Sequence, residues 1–135
     1  MDCTSAEPAN TDGVVFLYSS IGKSSVSGQT GAYNEGRTAT HEIGHWLGLR
    51  HTWGDGGCNV DDFCNDTPLS GQANYGCPTG TNSCTAAPDA GPDMIDNYMD
   101  YTDDICMDIF TEDQKTRMRT LLETSRESLI NSDAC

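Results

Sequence analysis

At 135 residues, 36% of them hydrophobic, the chain has the length of one domain with a modest core. Its formal net charge of −14 excludes nucleic acid and anionic membrane as partners and suits basic partners or bound cations. No apolar run approaches the roughly 18 residues of a membrane span, and seven cysteines in so short a chain point to an oxidising, extracellular compartment.

Met1-Asp2-Cys3 opens no signal peptide, since the basic and apolar regions of one are both missing; a secreted parent would leave this chain as a processed or recombinant piece. Val14-Val15-Phe16-Leu17-Tyr18 is a short β-favouring run, and the Ser/Gly-rich residues 19–31 after it read as a mobile loop. Residues 37–48 are expected to form a helix that carries the strongest signal in the chain. His41-Glu42-Ile43-Gly44-His45-Trp46-Leu47-Gly48-Leu49-Arg50-His51 reads H-E-x-x-H-x-x-G-x-x-H and uses all three histidines of the protein.

The spacing has a physical logic. Four residues apart on a helix, His41 and His45 project from one face and can reach one ion at about 2.0–2.1 Å. Glu42, about 100° round the helix, stands beside that ion as a general base for a metal-bound water. Gly48 can adopt positive φ, end the helix and let the chain return His51 as third ligand. Three protein ligands leave a fourth position open, the arrangement of a catalytic zinc.

Beyond the motif, residues 52–94 are dense in Gly, Pro, Asn, Asp and Cys and lack periodicity, so they read as functional or cross-linked loop. Asp61, Asp62, Asp66 and the Thr67 carbonyl are hard oxygen donors at irregular spacing that suit Ca²⁺, with further acids at Asp89, Asp93, Asp103 and Asp104. A second helix is expected from Thr111 as N-cap, with Gln114 completing a capping box and Glu112 and Asp113 favouring the dipole. Its stripe of Met118, Leu121, Leu122 and Leu129 reads as core. Absence of any C-x-x-C pair argues against a cysteine zinc ribbon, and the spacing of Cys3, Cys58, Cys64, Cys77, Cys84, Cys106 and Cys135 leaves their connectivity open.

The extended zinc motif, followed downstream by Asn97-Tyr98-Met99-Asp100-Tyr101, resembles the metzincin clan of metallopeptidases and within it the pappalysin family. Gly36-Arg37-Thr38-Ala39-Thr40 before the motif, His51-Thr52-Trp53-Gly54 after it and Asp66-Thr67-Pro68 strengthen the resemblance, which covers residues 13–122. It implies a methionine turn with Met99 as an apolar floor beneath the zinc, and a Tyr101 near the metal that stabilises the oxyanion of the transition state. It implies bridges Cys58–Cys84 and Cys77–Cys106, leaving Cys3, Cys64 and Cys135, and calcium in the segment that holds Asp62, Asp66 and Thr67. It also implies endopeptidase activity with a basic residue just after the scissile bond, recognised by an acid near Cys106; here Ile105 precedes that cysteine, with Asp103 and Asp104 beside it.

The expectation is therefore an α+β, metzincin-like zinc endopeptidase in which residues 1–135 form a single catalytic domain. Residues 1–50 make an upper part with the strand and zinc helix, and 51–135 a disulfide-bonded lower part with the methionine turn and C-terminal helix. His41, His45 and His51 bind zinc, and Glu42 moves the proton. Metzincins place several strands ahead of the zinc helix, whereas one is visible here, so the mixed sheet is small or abbreviated at its N-terminal end. That departure keeps a rival alive: a metal-dependent binding module that recognises a basic partner without cleaving it. A disulfide-rich structural domain with adventitious metal is a third reading, and it leaves Glu42 and Gly48 without a use.

Overall fold

A computed structural model of the chain describes residues 12–22, 31–86 and 91–131. Three α-helices are present among these residues: α1 (Arg37–Trp46), α2 (Glu112–Ser125) and the single turn α3 (Glu127–Ile130). Short 3-10 turns occur at Tyr18–Ser20 and Asp104–Cys106.

The strand expected at residues 14–18 is not formed. A strand is stabilised by a neighbour's ladder, and among the described residues the only β-pairing is a parallel bridge between Asn97 and Ile109. The run instead ends in the 3-10 turn, with Val15 90% and Tyr18 84% exposed. Residues 23–30, most of the expected loop, lie outside the described residues, as do Cys3, Asp89 and Cys135.

α1 is two residues shorter than the helix expected over 37–48, and its end explains why. Gly48, at φ +87, donates its N–H to the His45 carbonyl at 2.9 Å, and the Leu49 N–H reaches back to the Gly44 carbonyl at 2.9 Å. These are the paired bonds of a Schellman motif, which a left-handed residue at this position closes. A Cβ on Gly48 would also stand 2.8 Å from Leu121 Cδ1 of α2, so both backbone and packing require glycine. Leu49 then enters the core, fully buried.

The other end of α1 is capped from far away in sequence. Its N-cap, Gly36, offers no side chain. Asp104 Oδ2 accepts from the backbone N–H groups of Glu35 (2.7 Å) and Arg37 (3.2 Å), placing a carboxylate at the positive end of the helix.

α2 begins as the capping box predicts. Gln114 N–H donates to Thr111 Oγ1 at 3.2 Å, and Thr111 N–H donates to Gln114 Oε1 at 3.0 Å. Its stripe is shorter than expected: α2 breaks at Arg126, and Leu129 is 48% exposed on α3, outside the packed face. Gln114 has a second task. It exchanges two amide hydrogen bonds with Asn97, Nδ2 to Oε1 at 2.9 Å and Nε2 to Oδ1 at 3.1 Å, with both side chains fully buried.

That pairing shows what holds this molecule together. Among the described residues, Leu49, Met99 and Met107 are the buried large apolar side chains, while Asn97, Asp100, Thr102, Asp104 and Gln114 are buried polar ones. A core of this kind holds only when its polar groups are satisfied. Asp100 Oδ1 accepts from the N–H groups of Asn74 and Tyr101, and Thr102 Oγ1 donates to the Ile95 carbonyl. Disulfides Cys58–Cys84 and Cys77–Cys106, with Cα–Cα distances of 5.5 and 5.9 Å, tie the irregular segment to itself and to the turn after Tyr101. Bridges closing loops of this size contribute about 2–4 kcal/mol each. Cys64 is a free, buried thiol.

Candidate active site

α1, the turn that ends it and the segment 97–101 converge on the three histidines. One ligand atom from each of His41, His45 and His51 lies within 4.8 Å of the others, the only such cluster of metal-ligating side chains among the described residues. His41 is buried, and His45 and His51 are partly so.

Each ring is oriented from behind. His41 Nδ1 lies 2.6 Å from the Tyr98 carbonyl, His45 Nδ1 2.9 Å from the Leu49 carbonyl, and His51 Nδ1 2.5 Å from Asp55 Oδ1. Carbonyl and carboxylate oxygens only accept, so all three Nδ1 atoms carry the proton and all three Nε2 atoms present a lone pair. His45 Nε2 and His51 Nε2 are 3.0 Å apart. Two lone pairs so placed repel unless a cation lies between them, and nitrogens bound to one tetrahedral zinc stand about 3.3 Å apart. The donor set fits zinc.

Electrostatics agree. Burial pushes His41 down to about 4, helped by the neighbouring His45 and opposed by the hydrogen bond to Tyr98. Burial also lowers His51, against the pull of Asp55. Imidazoles held neutral near pH 7 are ready to ligate.

Met99 packs against α1 at Gly44, fully buried, with its carbonyl accepting from Thr52 N–H at 3.3 Å and its own N–H donating to Asn97 Oδ1 at 2.9 Å. A Cβ on Gly44 would stand 2.5 Å from the Met99 sulfur. Gly44 was not singled out in the sequence, although glycine inside a helix, which costs about 1 kcal/mol against alanine, signals close packing. Trp53, named in the sequence only as part of the resemblance, also bears on the site. Its ring stacks on His51 with centroids 4.2 Å apart and planes 4° from parallel.

Tyr101 stands over the site, its ring 4.9 Å from His51 and 5.5 Å from His41. Burial, together with the charges of Asp55 and Glu42, holds its hydroxyl in the protonated form by raising its pKa. Glu42, half-buried, and Tyr101 both line a cavity of about 830 Å³, walled by Phe16, Leu17, Tyr33, Tyr75 and Met107, with His41 and Asp104 also facing it.

The acidic loop is less concentrated than its sequence suggests. Asp62 Oδ1 accepts from Cys64 N–H and Thr67 Oγ1, while Asp62 Oδ2 is buried without a hydrogen bond. Burial raises the Asp62 carboxyl to about 6. Asp66 is drawn elsewhere. Its Oδ2 accepts from Asp113 N–H at the start of α2, and although some loss of hydration works to raise the pKa of this exposed side chain, hydrogen bonds from Thr111 and the helix N-terminus lower it overall. Asp93 is engaged by Ser83 and Asn74. Of the acids near Cys106, Asp104 is buried at the cavity and Asp103 is half-buried, while Ile105 beside the cysteine is 78% exposed.

The profile described as pregnancy-associated plasma protein-A matches residues 14–123. The chain belongs to the pappalysin family. Among similar proteins, an extracellular metalloprotease of Podospora anserina is 42% identical over 129 residues, covering 93% of this chain and 42% of the relative. One from Neurospora crassa is 48% identical over 108 residues, covering 79% of this chain and 35% of the relative. Mature mirolysin of Tannerella forsythia, solved with a cleaved peptide, superposes with a TM-score of 0.62 at 50% identity, over 70% of this chain and 36% of mirolysin. The chain thus spans well under half the length of these pappalysin relatives. No helix among its described residues is long and apolar enough to cross a membrane.

Proposed function

We propose that this pappalysin-family chain is a secreted zinc endopeptidase. The observation that carries the reading is the convergence of three Nε2 lone pairs, each fixed by an acceptor behind the ring, beside Glu42 and Tyr101 at the cavity. His41, His45 and His51 would hold zinc, with Met99 as the floor. When bound there, zinc acidifies water and polarises the scissile carbonyl. Glu42 takes the proton of the attacking water and returns it to the leaving amine. The Tyr101 hydroxyl donates to the oxygen that gains charge as the carbonyl carbon becomes tetrahedral.

The cavity accepts the substrate residue after the scissile bond. Asp104 supports a basic side chain there, because its buried carboxylate and those of Glu42 and Asp100 outnumber Arg37, the one full cation of the described lining. The bare Oδ2 of Asp62 supports calcium in the acidic loop, with the Thr67 carbonyl as a further oxygen, while Asp66 would have to leave the start of α2 to join them. We read residues 1–135 as one catalytic unit whose upper and lower parts meet at the metal. The extracellular naming of the relatives and the two disulfides support secretion.

The test compares zinc content and casein cleavage for the full chain and Glu42→Ala. One zinc per chain in both, with cleavage reduced by about 10²–10⁴ in the variant, is expected for loss of a general base. Equal turnover would sink the role of Glu42. Stoichiometric zinc without cleavage by the wild-type chain would favour a metal-dependent binding module, and folded protein without zinc would overturn the metal reading.

A further inference from the structure

His51 is held differently from the other two histidines. His41 and His45 donate to neutral backbone carbonyls, whereas His51 donates to the Asp55 carboxylate at 2.5 Å. Asp55 reaches it through an unusual turn. Gly54 and Asp55 have φ of +59 and +62, and Gly56 N–H donates to the Trp53 carbonyl at 3.3 Å. Two successive left-handed residues under such a bond make a type I′ turn. At Gly54 a side chain is impossible, since a Cβ would lie 2.7 Å from the Val60 carbonyl oxygen. At Asp55 glycine would be the easier residue, because any Cβ is strained there.

The strain is not offset by stability. The Asp55 side chain is 57% exposed, and an exposed ion pair contributes little to folding. What the carboxylate does is act on the ring. Trp53, stacked on His51, fixes the plane of the imidazole, and Asp55 fixes its rotation within that plane and its tautomer. A carboxylate behind a metal-bound imidazole also makes the ring a stronger donor.

We propose that Asp55 is a positioning residue for the metal centre, held in a strained turn so that its carboxylate keeps His51 Nε2 unprotonated and aimed at the ion. This rests on the zinc reading above.

Asp55→Gly separates the role from a structural one, since it removes the carboxylate while relaxing the backbone. In the full chain, zinc affinity is measured by competition with a chromogenic chelator, and the His51 tautomer in the metal-free protein from ¹⁵N ring shifts. The expected result is metal-free Asp55→Gly protein that melts no lower than wild type, binds zinc about 10–100-fold more weakly and loses the pure Nδ1–H tautomer. Asp55→Asn, which keeps an oxygen acceptor without the charge, falls between the two. Unchanged affinity and tautomer in Asp55→Gly would overturn the proposal while leaving the zinc reading intact. Failure of the wild-type chain to take up zinc would overturn the zinc reading, and the tautomer would still decide whether Asp55 orients His51.

Discussion

Gly44 and Met99 meet where a side chain on the glycine would stand, the methionine sulfur lying 2.5 Å from the position of an alanine Cβ. α1 can therefore sit on the segment around Met99 only because one of its inner residues has no side chain. Gly44→Ala gains about 1 kcal/mol in helix propensity and incurs about 1–3 kcal/mol of overpacking, for a net loss of up to about 2 kcal/mol in urea denaturation. Combined with Met99→Ala, the loss should be smaller than the sum of the two single variants. A neutral Gly44→Ala would show that Met99 moves aside freely.

Asp104 serves two neighbours, the N-terminus of α1 and the cavity. Asp104→Ala leaves two backbone N–H groups without their acceptor and is expected to lose about 1–3 kcal/mol of stability. Asp104→Asn keeps an oxygen and loses less. Both remove the charge, so a peptide panel should show the preference for Arg or Lys over Leu after the scissile bond collapsing in both. Retention of that preference by Asp104→Asn would assign the recognition to another acid.

Asp62 makes stability depend on pH in an unusual direction. Its folded pKa of about 6 exceeds the ordinary 3.8, so the folded chain holds a proton that the unfolded chain releases. This contribution is complete below about pH 4 and is lost as pH rises through 6, by an amount on the order of 3 kcal/mol. In chelator, Asp62→Asn should gain stability relative to wild type between pH 4 and 7, read from urea midpoints. Millimolar calcium should restore the wild-type chain at pH 7 and not the variant. A difference that stays flat with pH would mean that Asp62 is solvated.

Cys64 is buried, and that burial, with the charge of Asp62, pushes its thiol up to about 12. At pH 8 its thiolate fraction is on the order of 10⁻⁴, too small for ready alkylation. Peptide mapping after iodoacetamide treatment should find Cys64 unmodified in native protein and modified after denaturation, with Cys58–Cys84 and Cys77–Cys106 recovered as linked peptides. Native labelling of Cys64 would place it at the surface.

Features carried by neighbours along the chain were legible in the sequence. The histidine spacing, the glycine that ends α1 and the Thr111–Gln114 box are each set within a few residues, so local stereochemistry decides them. The run at residues 14–18 misled because strand formation depends on a partner, which β-propensity does not supply. Leu129 misled because the stripe assumed an unbroken helix, and the helix breaks at Arg126.

By itself, then, the sequence determined the motif, three histidines and a glutamate at fixed offsets, and the family that carries it. Only the tertiary structure decided what supports them. Asp104 caps a helix whose N-terminus lies more than sixty residues before it, Gln114 locks Asn97 beside Met99, and Asp55 turns back on His51. Ligand spacing is a property of a helix and can be read along it. The acceptor behind each ring and the partner of each buried polar group are properties of packing, where satisfying a donor depends on which distant oxygen arrives within 3 Å.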